Sequence, residues 1–110
     1  KSAEFKARKI AEALDDLGLR IFTPGDQDFA MGVEFLAEIS QKHKFQFLMT
    51  NAKDNLKIKH EKKIKIKVGP KNFIFLGVIE PSLLLPKFRS YFLDPKQVLN
   101  EELKNLKKDR

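Results

Sequence analysis

The sequence predicts an α/β fold, a β-α-β unit followed by a β-hairpin and a C-terminal helix. Three observations predict it. Apolar residues recur at helical spacing over residues 3–17 and again over about 32–42. Two short, nearly uninterrupted apolar runs, 19–22 and 45–50, flank the second of these stretches. Such runs suit strands buried on both faces of a parallel sheet. From Asn51 onward the spacing changes from helical to alternating.

The first helix is predicted over 3–17. Ala3, Ala7, Ile10, Ala11, Leu14 and Leu17 fall on one face, and Lys6, Arg8, Lys9 and Glu12 occupy the rest. Ser2 is the expected N-cap and Gly18 the expected residue just past the C-terminus. Leu19 to Phe22 then form a short buried strand, so helix, glycine and apolar strand give the αβ half of an α/β unit.

The stretch Arg20–Leu36, RIFTPGDQDFAMGVEFL, organises the rest of the chain. An apolar strand runs into a turn at Thr23, Pro24 and Gly25. Asp26, Gln27 and Asp28 come next, and Phe29 and Gly32 lead into the second helix. Acids and an amide at the C-terminal edge of a strand stand where α/β proteins place ligands. Backbone amides opening the next helix help to hold an anion there. The same residues also make an ordinary solvated turn, and local chemistry leaves both readings open.

The second helix buries Val33, Leu36, Ala37 and Ile39. His43 sits at its end beside Lys42 and Lys44, where a cation suits the helix dipole. It has no second ligand one turn away, so it reads as structural or solvated rather than as a metal ligand. Residues 45–50, FQFLMT, form the next strand, and a right-handed crossover joins it to 19–22.

Residues 51–55 read as a polar loop. Residues 56–68 alternate Leu56, Ile58, Ile64, Ile66 and Val68 with lysines 57, 59, 63, 65 and 67. His60, Glu61 and Lys62 interrupt the pattern as a turn or bulge. Gly69 to Asn72 make a hairpin turn, and 73–79, FIFLGVI, pair with 62–68 and return to a central sheet of 19–22, 45–50 and 73–79. Lysines on alternate positions give a basic stripe. A nucleic-acid surface would need stacking aromatics on the same face. The aromatics fall in core patterns instead, so the lysines read as a solvated guard against edge pairing. Residues 80–94 form an irregular connector whose Leu83, Leu84, Leu85, Phe88, Tyr91 and Phe92 pack over a neighbour or frame a pocket. Asp94 and Pro95 open the last helix as N-cap and first residue. Val98, Leu99, Leu103 and Leu106 form its apolar stripe, with Lys104, Lys107, Lys108 and Arg110 toward its end.

Composition sets bounds on function. A chain of 110 residues is one domain at most. No cysteine is present, which excludes disulfides and thiolate metal sites. No apolar run approaches the roughly 20 residues of a membrane span. Lys1 to Phe5 is charged and runs directly into a helical pattern, so no signal peptide is expected there. The chain has no initiator Met, so Lys1 is not expected to be the natural start. A net charge of +7 permits contact with nucleic acid or anionic lipid, and a simply solvated basic surface carries the same charge. There is no Gly-x-x-x-x-Gly-Lys phosphate loop, no Gly-x-Ser-x-Gly elbow and no Cys nucleophile.

Residues 7–54 resemble part of a calcineurin-like metallophosphatase of the 5'-nucleotidase branch. That family has an apolar strand, then Gly-Asn-His-Asp/Glu-Phe, a further Gly and a helix, and later a strand ending in a Ser-Ala-Asn-like turn. Gly25-Asp26-Gln27-Asp28-Phe29 falls on the first motif and Thr50-Asn51-Ala52 near the second. Phe73 to Val78 is similar to a later strand of the family, and Asp94-Pro95 with its helix to a later segment. The resemblance thus spans the middle of the family's catalytic domain, and it implies a partial metallophosphatase-like sandwich.

The resemblance also implies a site. Asp26 stands at the family's metal-binding Asn, and Gln27 at the His that assists the transferring phosphoryl group. Candidate metal ligands are Asp26 and Asn51, with Asp28 in support and Gln27 at the catalytic position. Divalent Mn, Mg, Zn or Fe would be the parent's cofactor, and a nucleotide or other phosphate ester its substrate. Export or a periplasmic location follows by the same analogy. The family's Asp-x-His and His-x-His motifs have no match here, so this chain is expected to be inactive alone and to pair with the rest of a parent chain or with copies of itself. The alternatives are a basic module that binds nucleic acid weakly, or an acidic protein, through Lys57–Lys71, and a small α/β interaction domain whose likeness to the family is accidental.

Overall fold

The computed structural model describes residues 2–108. Helix α1 (Ser2–Asp16) leads to strand β1 (Ile21–Phe22), a short helix α2 (Asp26–Ala30) and helix α3 (Val33–Lys42). Strand β2 (Gln46–Phe47) follows, then the hairpin β3 (Ile64–Val68) and β4 (Lys71–Phe75). A 3₁₀ turn (Pro81–Leu83), helix α4 (Pro86–Arg89) and helix α5 (Pro95–Lys108) complete a mixed helix and strand domain with small sheets.

Gly18 ends α1 with φ of 88°. Its amide donates to the Asp15 carbonyl and that of Leu19 to Leu14, the paired bonds of a left-handed helix end. The cap expected of Ser2 lies outside the described side chains, and Arg110 lies outside the described residues.

Strands β1 and β2 pair in parallel, with Ile21 opposite Gln46 and Phe22 opposite Phe47. Helices α2 and α3 make the crossover between them. The amides of Gln46 and Leu48 donate to Arg20 and Phe22, each at 2.8 Å. On the other side of β2, Glu61 bridges Leu48 in parallel. Its amide donates to Phe47, and its carbonyl accepts from Met49.

The single three-stranded central sheet is not what forms. Two separate two-stranded sheets stand instead. The alternation over 56–59 is kept in burial, with Leu56 and Ile58 inside and Lys57 and Lys59 outside, but no ladder pairs it. The run 73–79 divides. Residues up to Phe75 stay in the hairpin, with Ile66 opposite Phe73 and Ile64 opposite Phe75. Beyond it the chain turns inward. The Thr50 amide donates to the Gly77 carbonyl at 2.7 Å, and the Gly77 amide donates to the Thr50 hydroxyl at 3.0 Å.

The core sits under α3 and over β2. It gathers Phe29, Leu36, Ile39, Phe45, Phe47, Met49 and Ile79. The connector closes it: Leu84, Phe88 and Phe92 are buried, and the Phe29 ring meets Phe88 and Phe92 at 5.9 and 5.4 Å between centroids. Edge and tilted contacts of this kind add about 0.5–1.5 kcal/mol beyond burial. No described helix is long and apolar enough to cross a membrane.

Candidate functional site

The segment after β1 is built on a short hydrogen-bonded frame. Thr23 donates its hydroxyl to the Leu48 carbonyl at 2.8 Å, tying the end of β1 to the chain just past β2. Pro24 is buried behind it. Gly25 then stands in extended geometry as the N-cap of α2. Its amide donates to Asp28 Oδ2 at 2.8 Å, a reach back from the third helical residue that satisfies a donor the helix leaves free. Gly25–Phe29 is therefore a helical start, where the sequence also allowed an open turn.

Each predicted site residue has a definite place. Asp26 and Gln27 lie on the first turn of α2, exposed, and among the described residues neither makes a side-chain hydrogen bond. Asp28 is half-buried and occupied by the cap. Asn51 is wholly buried, with 0% of its surface exposed. Its amide nitrogen donates to the carbonyls of Ile79 at 2.7 Å and Leu93 at 2.8 Å. Its Oδ1 accepts from the Ile79 amide at 2.9 Å. One side chain thus fastens three chain segments that no common sheet joins. Asp26 fits a hard divalent ion as one open carboxylate oxygen. Asn51 does not fit in this arrangement, because both amide protons are given to backbone and its oxygen has no open approach. Among the described residues, no three His, Asp or Glu side chains converge as metal ligands would.

Gly77 shows how tightly the frame is closed. A Cβ there would lie 2.3 Å from Thr23 Oγ1 and 3.1 Å from the Leu48 carbonyl oxygen. Only glycine leaves room for β1, β2 and residue 77 to meet. Sequence reasoning missed this position, although a glycine inside an apolar run is a signal of close backbone approach.

The histidines are engaged elsewhere. The His43 side chain is 6% exposed, with Nδ1 3.1 Å from Asp15 Oδ2. The other Asp15 oxygen accepts from the Lys44 amide at 3.1 Å. Burial works to raise the Asp15 carboxyl. The hydrogen bonds from His43 and the Lys44 amide, with the nearby charges, outweigh it and hold the group below its usual range. The His43 ring stacks on Phe45, at 5.4 Å between centroids. Of the two roles left open for His43, structural or solvated, the contacts give the structural one, a clasp of α1 to the end of α3. His60 Nδ1 lies 2.6 Å from the Ile58 carbonyl oxygen, to which it donates.

A second clasp joins Arg8 of α1 to Glu4 and to Glu38 of α3. The hydrogen bond to Arg8 holds the Glu38 carboxyl low against partial burial. The guanidinium also lies over Phe35, 4.9 Å from the ring centroid. Beside it a groove of about 610 Å³ runs between α1, α3 and α4, lined by Glu4, Arg8, Glu34, Lys87 and Tyr91 among others. Asp26, Gln27 and Asn51 do not line it.

No family model, curated protein or solved structure matches this chain.

Proposed function

We propose that this chain is the central segment of a calcineurin-like metal-dependent phosphoester hydrolase, close to the 5'-nucleotidase branch and folded as part of its sandwich. One observation carries the reading. Gly25-Asp26-Gln27-Asp28-Phe29 opens a helix at the carboxyl end of β1, and the crossover returns to a parallel β2 that runs into Thr50-Asn51. That order and placement is what the resemblance requires, and ligands of α/β sheets lie at such strand ends.

Within that reading each residue has a limited part. Divalent ions, when bound, would neutralise charge on the phosphoryl oxygens. Asp26 offers one carboxylate oxygen toward them. Gln27 offers a neutral hydrogen-bond donor where the family has a His. Asp28 fixes the start of α2, and Asn51 fixes the strand ends around it. One carboxylate holds an ion too weakly to orient a phosphoryl group, so the chain alone is expected to release no phosphate. The rest of the parent chain would supply the missing ligands. The deciding assay is Mn²⁺-dependent phosphate release from a nucleoside monophosphate by the complete protein. The reading expects release that Asp26→Ala abolishes. Release that Asp26→Ala leaves intact overturns it.

A second reading rests on the hairpin. Lys65, Lys67 and Lys71 are exposed and make no ion pair among the described residues. Phe73 and Phe75, 46% and 41% exposed, share one face of the hairpin with Lys71, while the register puts Lys65 and Lys67 on the other. A basic binding module would use these groups on a nucleic acid or an acidic protein, with lysine–phosphate contacts that weaken steeply with salt.

A further inference from the structure

Helix α1 does not close fully onto the core. Between it and the floor below lies a cavity of about 150 Å³. Ala7, Ile10, Ala11 and Leu14 form its roof, and Phe22, Phe35, Leu36, Ile39, Phe45 and Phe47 its floor and walls. Among the described residues, Asp28 is the one ionisable group on its lining.

We propose that this cavity is a binding site for a small neutral aromatic molecule, one ring in size. The inference stands apart from the phosphoester reading and shares only Asp28 with it. The lining is almost wholly hydrocarbon. A water there would need two to four polar partners. It would find only Asp28, one of whose oxygens already accepts from Gly25. An enclosed apolar cavity of about 150 Å³ in another protein takes up benzene, and the space under α1 offers a similar volume with an open mouth. The size and the lining match.

The geometry explains why the space stays open. The floor rings hold one another: Phe22 meets Phe45 at 6.0 Å and Phe47 at 5.5 Å, and Phe45 stacks on Phe47 at 6.0 Å. The roof is pinned by polar clasps on both sides, Arg8 with Glu38 and Asp15 with His43 and the Lys44 amide. Dropping α1 into the void would break these bonds. Ile10 lines the cavity and is also 59% exposed, so it marks the mouth. An anionic ring is refused, because Asp28 repels it and nothing in the lining pairs with its charge.

Methyl-resolved NMR of the chain, titrated with benzene and separately with benzoate, tests this. Benzene is expected to give saturable shifts at Leu14, Leu36 and Ile39, with Leu84 and Leu106 unmoved. Benzoate at equal concentration is expected to move none of them. Ala11→Leu fills the cavity and should abolish the benzene shifts. Leucine costs a helix little, so the variant keeps α1. Ala7→Leu, at a half-buried position of the same roof, is the second filling variant should Ala11→Leu fail to fold. Shifts that do not saturate, that spread evenly over all methyls, that benzoate reproduces, or that survive in the folded filling variants would overturn the proposal.

Discussion

A methyl group placed on Gly77 would lie 2.3 Å from the hydroxyl oxygen of Thr23. That hydroxyl is already committed to the Leu48 carbonyl, so the collision cannot be relieved without losing a hydrogen bond. Gly77→Ala is therefore expected to destabilise the domain by about 1–3 kcal/mol through overpacking. Thr23→Ala should cost about 1 kcal/mol alone, the worth of one hydrogen bond. Together the two changes should cost less than their sum, because the methyl then has room on the Thr23 side. Urea unfolding of the four proteins measures the coupling. Strict additivity would show that the contact is not shared.

Asn51 supplies three hydrogen bonds to backbone groups that have no sheet partner. Asn51→Ala leaves the Ile79 amide and the carbonyls of Ile79 and Leu93 without their partner. Each buried group left unpaired costs about 1–3 kcal/mol. The variant is expected to lose at least about 3 kcal/mol, measured by denaturant midpoint. Amide exchange should speed up first at Ile79 and Leu93, the two segments that Asn51 fastens. A loss below about 1 kcal/mol would mean that water replaces the side chain.

The Asp15 clasp makes stability depend on pH in a known direction. Its carboxyl is held low in the folded chain, so the unfolded chain binds its proton first as pH falls. The stabilisation is complete above the unfolded aspartate value of about 3.9 and is lost as pH drops through the lower folded value. Asp15→Asn should therefore flatten the pH dependence of unfolding below about pH 4, relative to the native chain. An unchanged acid profile would show that the clasp contributes nothing to it.

Much of this fold is legible in the sequence, for reasons tied to particular residues. Helices α1, α3 and α5 follow from apolar spacing, and Gly18 ends α1 as its lack of a side chain permits. Helix α2 was not legible, because Pro24-Gly25-Asp26 signals a turn and a helix cap equally well. Only the Asp28 bond to Gly25 distinguishes them. The run 73–79 misled in another way. Phe73 and Phe75 look like core residues, yet the hairpin projects them away from the core and leaves them 46% and 41% exposed. Nothing in a continuous apolar run states how much neighbouring surface will cover it. At the candidate site, the exposed carboxylate of Asp26 was readable from its turn setting. The burial of Asn51 was not. A polar side chain directly after FLMT is a signal of buried hydrogen bonding, but its partners lie 28 and 42 residues away.

In the phosphoester reading, Gln27 occupies the place of a phosphoryl-assisting histidine. The direct measurement is turnover of a nucleoside monophosphate by the complete protein with Mn²⁺, comparing the native residue with Gln27→His. A charged donor facing the developing negative charge should raise turnover by about tenfold or more. It should do so only while Asp26 is intact, with Asp26→Ala erasing the gain. Turnover that Gln27→His leaves unchanged or lowers would contradict the assignment.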